Sequence, residues 1–549
     1  MSTCPGIGVH ISTCGCLSDM DTSLAYDVRN ILVERQLSFF PEVDMTTAAE
    51  QFVEGMLNPA IYPYPCTKVR LIETHISWVF LTGLRAWKVK KPVDFGFVDF
   101  TTLDRRRQCC LEELRLNRRL APDLYLDVVP ITGSAASPEI DGDGPVIDFA
   151  VCMMQFDQNH LLSNLSPTLL QRKHMNVLAD QCAQFHTNAE VAPSDSPFGS
   201  APRIRAAFED NFNTLKRANN GLADEVSSLC ETTRFQFGRL EEVFAQRKAN
   251  GMIRECHGDL HLGNMFLQDD RVAIFDGIEF NDDFRWIDII SDIAFLIMDL
   301  QDRGYHGFGN RFLNRWLEHT SDYGGLSVLR LYCAYRAMVR AKIDVIRLHQ
   351  ENVSCSDQRH LSNDCRGYLQ LAQRYSARLS PSLTITTGPS GSGKTTIAQK
   401  LIDSGDTIRT RSDVERKRLF GLAPEESSDE RLRQRMYSSE ADNATYDRLA
   451  DLATIVIDAG LPVVVDAAFL RRTDRYRFAQ LAACLGVPFM ILKCSGGQQQ
   501  LQERVEARQR RGRDASEADE RVLAMQLQDR DELGPDEEHV AIDAGEILE

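Results

Sequence analysis

Apolar positions follow two different periods along the chain. Residues 46–57 have the helical spacing of a short amphipathic segment. Residues 69–80 and 85–89 then read as strands joined at Thr82-Gly83, and residues 102–120 as a helix ended by Ala121-Pro122. Residues 146–154 return to a strand pattern, and 166–189 and 203–248 are mostly helical. Two short apolar runs, Asn264-Met265-Phe266-Leu267 and Arg271-Val272-Ala273-Ile274-Phe275, flank the polar turn Gln268-Asp269-Asp270. They predict a small hairpin. Residues 332–348 form a strongly periodic helix, and helices continue to residue 379, where Ser380-Pro381-Ser382 breaks the pattern. Beyond it, four apolar runs at 383–387, 407–410, 463–466 and 489–493 read as strands. Helical segments begin at 396 and at 501.

The hairpin brings its two ends together, and with them Asp259, Asn264 and Asp276. Phosphoryl transfer to a hydroxyl needs such a set: one carboxylate to accept the hydroxyl proton, and an amide plus a second carboxylate to hold Mg²⁺ on the nucleotide phosphates. His257, Asp259 and His261 could instead form a metal cluster. That reading leaves Asn264 and Asp276 unexplained, and a His257 that buttresses the loop is preferred.

A second phosphate motif follows the strand at 383–387. Gly388-Pro389-Ser390-Gly391-Ser392-Gly393-Lys394-Thr395 is GxxxxGK[ST] between a strand and a helix that takes in Thr396. Its glycines let backbone N–H groups wrap phosphates, Lys394 reaches the β- and γ-phosphates, and the Thr395 hydroxyl ligates Mg²⁺. The strand 407–410 leads into Arg411-Ser412-Asp413, where Asp413 would act as base or hold the acceptor hydroxyl. The strand Val463-Val464-Val465-Asp466 ends in a carboxylate that can bind Mg²⁺. Arg504, Arg508, Arg510 and Arg511 stud the helix at 501–511, ahead of a short lid to Ser516. Such a lid supplies positive charge to a transferring phosphoryl group, and Arg508 is the residue assigned to it. A solvated helix is the plainer reading of Arg504 and Arg508.

His257-Gly258-Asp259-Leu260-His261-Leu262-Gly263-Asn264 and Ile274-Phe275-Asp276-Gly277 resemble the catalytic loop and metal-binding strand end of the aminoglycoside phosphotransferase and choline kinase branch of the protein-kinase-like fold. The resemblance implies that Asp259 is the catalytic base and that Asn264 and Asp276 are metal ligands. In Ala86-Trp87-Lys88-Val89-Lys90, Lys88 and Lys90 share one strand face with Ala86. The Ala-x-Lys pattern favours Lys88 as the phosphate lysine, with Lys90 second; a solvated strand end is the alternative. Glu112 or Glu113 would pair with it, and Glu113 is the assignment. Met153-Met154-Gln155-Phe156 would be the hinge, with Met154 meeting adenine. Glu279 and Asp283 read as solvated loop acids, Asp292 as a helix-capping aspartate, and Arg336, Arg340, Lys342 and Arg347 as charges of a surface helix. Residues from 382 onward are similar to the gluconate kinase and shikimate kinase group. Arg411 to Arg416 also look like the corresponding stretch of polynucleotide 5′-kinases.

The expected architecture is an α+β, two-lobed protein-kinase-like domain over 45–379, then an α/β P-loop domain with a parallel sheet over 380–549. An irregular extension occupies 1–44, in which only 23–37 could be helical. A chain of 549 residues requires more than one core. A net charge of −17 argues against a general nucleic-acid or membrane-surface binder. The 15 cysteines, without a CxxC pair, read as reduced thiols in a cytoplasm, and no apolar run has the length of a membrane span. The cofactors implied are ATP and Mg²⁺. The partners implied are small molecules with a hydroxyl acceptor; neither acceptor nor the oligomeric state is readable. The alternatives are a catalytic domain joined to an ATP-binding regulatory module, and a polynucleotide 5′-kinase activity in the C-terminal domain.

Overall fold

A computed structural model describes residues 47–543 apart from 97, 167–168, 218–221, 269, 350–353 and 512–513. The expected extension at 1–44 lies outside the described residues, as do Gly512 and Arg513 of the expected lid.

Six strands make the first sheet: β1 (Arg70–Glu73), β2 (Ser77–Leu81), β3 (Arg85–Lys90), β4 (Tyr125–Ser134), β5 (Ser137–Ile140) and β6 (Val146–Met154). Their spatial order is β1-β2-β3-β6-β4-β5, with every neighbour antiparallel. Alternation sorts the side chains. Trp78, Phe80, Trp87 and Val89 pack on one face with Phe52 and Met56, while Leu81, Ala86, Val151 and Met153 pack on the other with Cys110 and Leu114. The latter two belong to the helix Leu103–Asn117, which starts at Thr102, whose hydroxyl accepts from Arg105 N. The single strand expected at 69–80 is in fact two. Thr74 turns the chain, its hydroxyl bonding Ile76 N and Ser77 N, and Arg70 pairs with Leu81. The turn between β1 and β2 borders the cleft, with Thr74, Ile76 and Ser77 in its lining.

The large lobe is helical, around the helix Ile289–Asp302, which is buried from Ile289 to Leu300. Against it stand β7 (Ile253–Glu255) paired with β10 (Trp286–Asp288), and the hairpin of β8 (Met265–Gln268) and β9 (Arg271–Ile274), in which Met265 pairs with Ile274. The helix Leu326–Leu348 is no surface helix. Arg336, Arg340, Lys342 and Arg347 are buried, because it packs against the central helix and against Cys355–Ser376. Arg336 lies over the Phe295 ring and donates to the Gly258 carbonyl at 3.1 Å.

The second sheet holds β11 (Leu383–Thr387), β12 (Ile408–Arg411), β13 (Val463–Asp466), β14 (Phe489–Ser495) and β15 (His539–Asp543). All five are parallel, in the order β12-β13-β11-β14-β15. This parallel sheet borders the large lobe directly. The helix His306–Thr320 lies on the helix Lys394–Ser404, and Asn310 and Asn314 donate to the carbonyls of Gly405 (2.8 Å) and Thr407 (3.0 Å).

Candidate active sites

The first site is a cleft between the small lobe and the hairpin, lined among others by Lys88, Met154, Asp259, Asn264, Asp276 and Glu279. Asn264 Nδ2 donates to the Asp259 carbonyl at 3.1 Å and to Asp259 Oδ2 at 2.9 Å. Asp259 Oδ1 is buried and has no hydrogen-bond partner among the described residues. Burial alone would raise the Asp259 pKa, but His261 beside Oδ2 (3.3 Å), with His257 and Arg336, holds the carboxyl below the usual aspartate range. The result is an ionised carboxylate with one oxygen fixed and one unspent.

The loop that carries Asp259 is held from below. Asp292 accepts from His257 N (3.0 Å) and Gly258 N (2.9 Å), and Asp299 accepts from Leu262 N (2.8 Å). Asp292 is thus not the helix cap expected of it; Asp288 caps that helix, accepting from Ile290 N, and Asp292 anchors the loop one turn later. Gly258 has φ of +84°, and a Cβ there would meet the Phe284 carbonyl at 2.6 Å. His257 donates from Nε2 to the Phe275 carbonyl (3.0 Å) and accepts Asp259 N at Nδ1 (3.2 Å). Burial lowers its pKa, so it stays neutral. His257 therefore buttresses the loop, and both ring nitrogens are spent without a metal. His186, Cys256 and Asp292 also bring potential ligand atoms together. There too the imidazole is spent, on Asp292 (3.1 Å) and on the Trp316 indole N–H (3.1 Å).

On the opposite wall two lysines share one carboxylate. Lys88 Nζ lies 2.9 Å from Glu113 Oε1 and 2.6 Å from Asp276 Oδ1. Lys90 Nζ lies 2.6 Å from Glu113 Oε2 and also pairs with Glu279. Burial would lower both lysine pKa values, but the carboxylates outweigh it and hold them well above the ordinary range. Burial likewise pushes Glu113 up, yet Lys88 and Lys90 pull it down to about 2. The choice between Lys88 and Lys90 thus becomes a division of labour. Lys88 reaches Asp276 in the cleft, while Lys90 is fully buried behind it. Glu279 is no solvated acid, because Lys90 neutralises it in the interior. Glu112 faces Arg115 and Arg285 instead. Met154 lines the cleft, but its N–H is already donated to the Leu124 carbonyl (2.9 Å), so that donor is not available to adenine.

Tyr125 and Asn117, which no sequence motif singled out, position the strand end that carries Asp276. The Tyr125 hydroxyl accepts from Asp276 N (3.1 Å), and Asn117 Oδ1 accepts from Gly277 N (2.8 Å). Both lie more than a hundred residues upstream, and no local pattern marks them. The Asn264 amide, with Nδ2 committed, presents Oδ1, and Asp276 sits at a positive φ of 61° in the cleft. An amide and a carboxylate oxygen fit a hard divalent cation such as Mg²⁺.

The second site surrounds the P-loop, in a cavity of about 780 Å³. Ser390, Gly391, Gly393, Lys394, Thr395, Thr396, Asp413, Asp466 and Arg508 all line it. Gly388 and Ser392 lie beneath this lining. Gly388 has φ of +146°, and a Cβ there would approach the Cys494 carbonyl at 2.3 Å, which only glycine avoids. Gly393, left-handed, starts the helix Lys394–Ser404. Lys394 Nζ donates to the carbonyls of Gly388 and Pro389, each at 2.8 Å. Burial lowers its pKa against the pull of Asp466 and Asp413. Thr395 and Asp466 again offer only oxygen donors, the set for a hard cation. Arg504 Nη1 donates to the Gly391 carbonyl of the P-loop (3.3 Å) and Arg508 Nη2 to the Ala518 carbonyl (2.8 Å), so both half-buried arginines are tied to the cavity wall. Gln526 was not foreseen: its Oε1 accepts from Ser390 N at 2.7 Å. The cavity lining carries Lys394 and four arginines against six aspartates, so the walls around Asp413 are of mixed charge.

Residues 99–332 match the family model described as Phosphotransferase enzyme family, and residues 383–533 the one described as AAA domain. Uncharacterized proteins Rv2004c of Mycobacterium tuberculosis and Mb2027c of Mycobacterium bovis are each 29% identical over 464 residues, spanning 84% of this chain and 90% of theirs. Among solved structures, an amicoumacin kinase shares 12% identity, with 58% of this chain and 93% of that chain covered and a TM-score of 0.37. A choline/ethanolamine kinase family protein of Mesorhizobium loti shares 12%, with 59% and 98% covered and a TM-score of 0.35. A sugar kinase of Janibacter sp. shares 21%, with 30% and 86% covered and a TM-score of 0.23. With the catalytic-loop and P-loop geometry above, the two family matches identify the chain as an ATP-dependent kinase that joins a phosphotransferase-family domain to a C-terminal P-loop kinase-like domain.

Proposed function

We propose that the chain is a bifunctional small-molecule kinase. Each domain, 45–379 and 380–549, moves the γ-phosphoryl of ATP·Mg²⁺ to a hydroxyl of a different acceptor. The observation that carries this reading is Asp259 Oδ1, a buried, ionised carboxylate oxygen without a partner among the described residues, in the same cleft as Lys88, Asn264 and Asp276. In the first domain Asp259 would take the hydroxyl proton, Asn264 and Asp276 would hold the metal, and Lys88 would hold the nucleotide phosphates. In the second, Lys394 and the loop amides would bind phosphates, Thr395 and Asp466 the metal, and Asp413 the acceptor hydroxyl, with Arg508 over the transferring group. Polar, mixed-charge walls around Asp413 suit a hydroxylated small molecule better than a nucleic-acid strand. Equilibrium dialysis with a non-hydrolysable ATP analogue and Mg²⁺ tests the two-site claim. The expected stoichiometry is two per chain, falling to one in Lys394→Ala and to one in Asp276→Ala. A stoichiometry of one in the unaltered protein contradicts it.

A further inference from the structure

A separate cavity of about 450 Å³ lies where the two domains meet. Its walls come from both. Arg311 and Arg315 project from the helix His306–Thr320, and Arg172 from the start of the helix Arg172–Asn188. Lys400 comes from the helix Lys394–Ser404, and Arg409 and Arg411 from β12. Three carboxylates share the lining. Asp403 takes Arg311 (2.8 Å) and Arg172 (3.3 Å), Glu425 takes Arg315 (2.5 Å), and Asp514 lies 3.5 Å from Arg411. Behind the wall, Asp180 bonds Arg315, and Glu318 bonds Arg409 at 2.7 Å and approaches Arg411 at 3.6 Å. These partners fix the guanidinium planes without using every donor. Arg311 Nε is buried with no hydrogen-bond partner among the described residues, and Lys400 is exposed at the cavity with no ion-pair partner among them. Pro424 and Ala515 are the apolar residues of the lining.

We propose that this cavity binds a phosphorylated small molecule, held by Arg311, Arg315 and Lys400. Pre-oriented guanidinium forks match the paired oxygens of a phosphate, and an ammonium adds a point charge. The volume is that of a small-molecule site. Thr395 and Thr396 border both this cavity and the P-loop cavity, so the ligand sits against the helix that begins at the P-loop lysine. Both domains build the site, so occupancy reports on their docking as well as on the P-loop. The inference needs neither acceptor of the proposed reactions.

The test is isothermal titration calorimetry on the full chain, with its nucleotide sites saturated by a non-hydrolysable ATP analogue and Mg²⁺. That blocks phosphate from the P-loop itself. The probes are glycerol 3-phosphate, inorganic phosphate and glycerol. The expected result is one phosphate-bearing probe bound per chain, no heat from glycerol, and at least a 10-fold weakening in both Arg311→Gln and Lys400→Gln. Binding of both phosphates assigns recognition to the phosphoryl group alone; binding of glycerol 3-phosphate only assigns it to an organic phosphate ester. Absence of binding by both phosphates overturns the proposal, as does unchanged affinity in Lys400→Gln. That exposed position decides the matter even if Arg311→Gln does not fold.

Discussion

Glu113 is the residue on which the small lobe's electrostatics turn. It is fully buried between two ammonium groups, 2.9 Å from Lys88 and 2.6 Å from Lys90. At an effective dielectric constant of about 20, each contact is worth about 6 kcal/mol of Coulomb attraction before desolvation is subtracted. Glu113→Gln keeps the shape and removes the charge. Lys88 retains Asp276 and Lys90 retains Glu279, so the net loss belongs in the range for breaking a buried pair, about 3–5 kcal/mol. With a urea slope of about 2 kcal/mol per molar, the midpoint falls by about 2 M. Trp78 and Trp87 are buried in this lobe and report the transition by fluorescence. The pH dependence has a definite sign. The Glu113 pKa is depressed to about 2 in the fold, so its contribution is full above the ordinary 4.5 and is lost as pH falls from there toward 2. Glu113→Gln should flatten that part of the stability profile. A midpoint shift below about 0.3 M would refute the reasoning that the Glu113 carboxylate, shared by two buried lysines, holds the small lobe together.

Three further outcomes follow from the same geometry. Gly258→Ala puts a side chain at φ +84° and 2.6 Å from the Phe284 carbonyl, shifting the Asp259 loop. Turnover at the first site should drop about 100-fold with nucleotide affinity within about 3-fold, and equal losses in both would contradict this. Asp259 ionises below its ordinary 3.8 and is lost as a base only as pH falls through that lower value; kcat at the first site should therefore show no carboxylate inflection between about pH 5 and 8, and an Asp259-dependent one near pH 6 would count against it. Glu318→Ala leaves Arg409 without its buried carboxylate and Arg411 with only its longer approaches to Asp466 and Asp514; the P-loop half should lose about 3–5 kcal/mol and be cut earlier in limited proteolysis, and an unchanged cleavage rate would argue against that role.

How much of this was legible in the sequence depended on whether the signal was local. The hairpin, β6, β11 and β13 lie where the apolar runs put them; the hairpin's polar turn, Gly388 after β11 and Asp466 at the end of β13 mark their limits. The P-loop needed no more than its glycines, and the Asp259–Asn264 hydrogen bond is set by a six-residue loop. The split between β1 and β2 was hidden because Thr74-His75 makes the turn without glycine or proline. β15 escaped because it is a five-residue edge strand with partly polar sides. The Lys90–Glu279 pair spans 189 positions, and the Glu318–Arg409 pair crosses the domain boundary; charges brought together only by the fold read as surface charges along the chain. For the same reason the helix at 326–348 read as exposed: Arg336 bonds the Gly258 and Ser291 carbonyls and Lys342 pairs with Asp210, partners that the local pattern cannot contain.

The central claim is that two phosphoryl-transfer sites work in one chain, and the most direct measurement is acceptor phosphorylation. The full-length protein, Asp259→Asn and Lys394→Ala are each given ATP and Mg²⁺ with a panel of sugars, sugar acids, amino alcohols, aminoglycosides and nucleosides. The account predicts that Asp259→Asn removes phosphorylation of one acceptor and Lys394→Ala that of another, each leaving the other product intact. Loss of every product in Lys394→Ala, with none lost in Asp259→Asn, would contradict it and make the first domain a nucleotide-binding regulator.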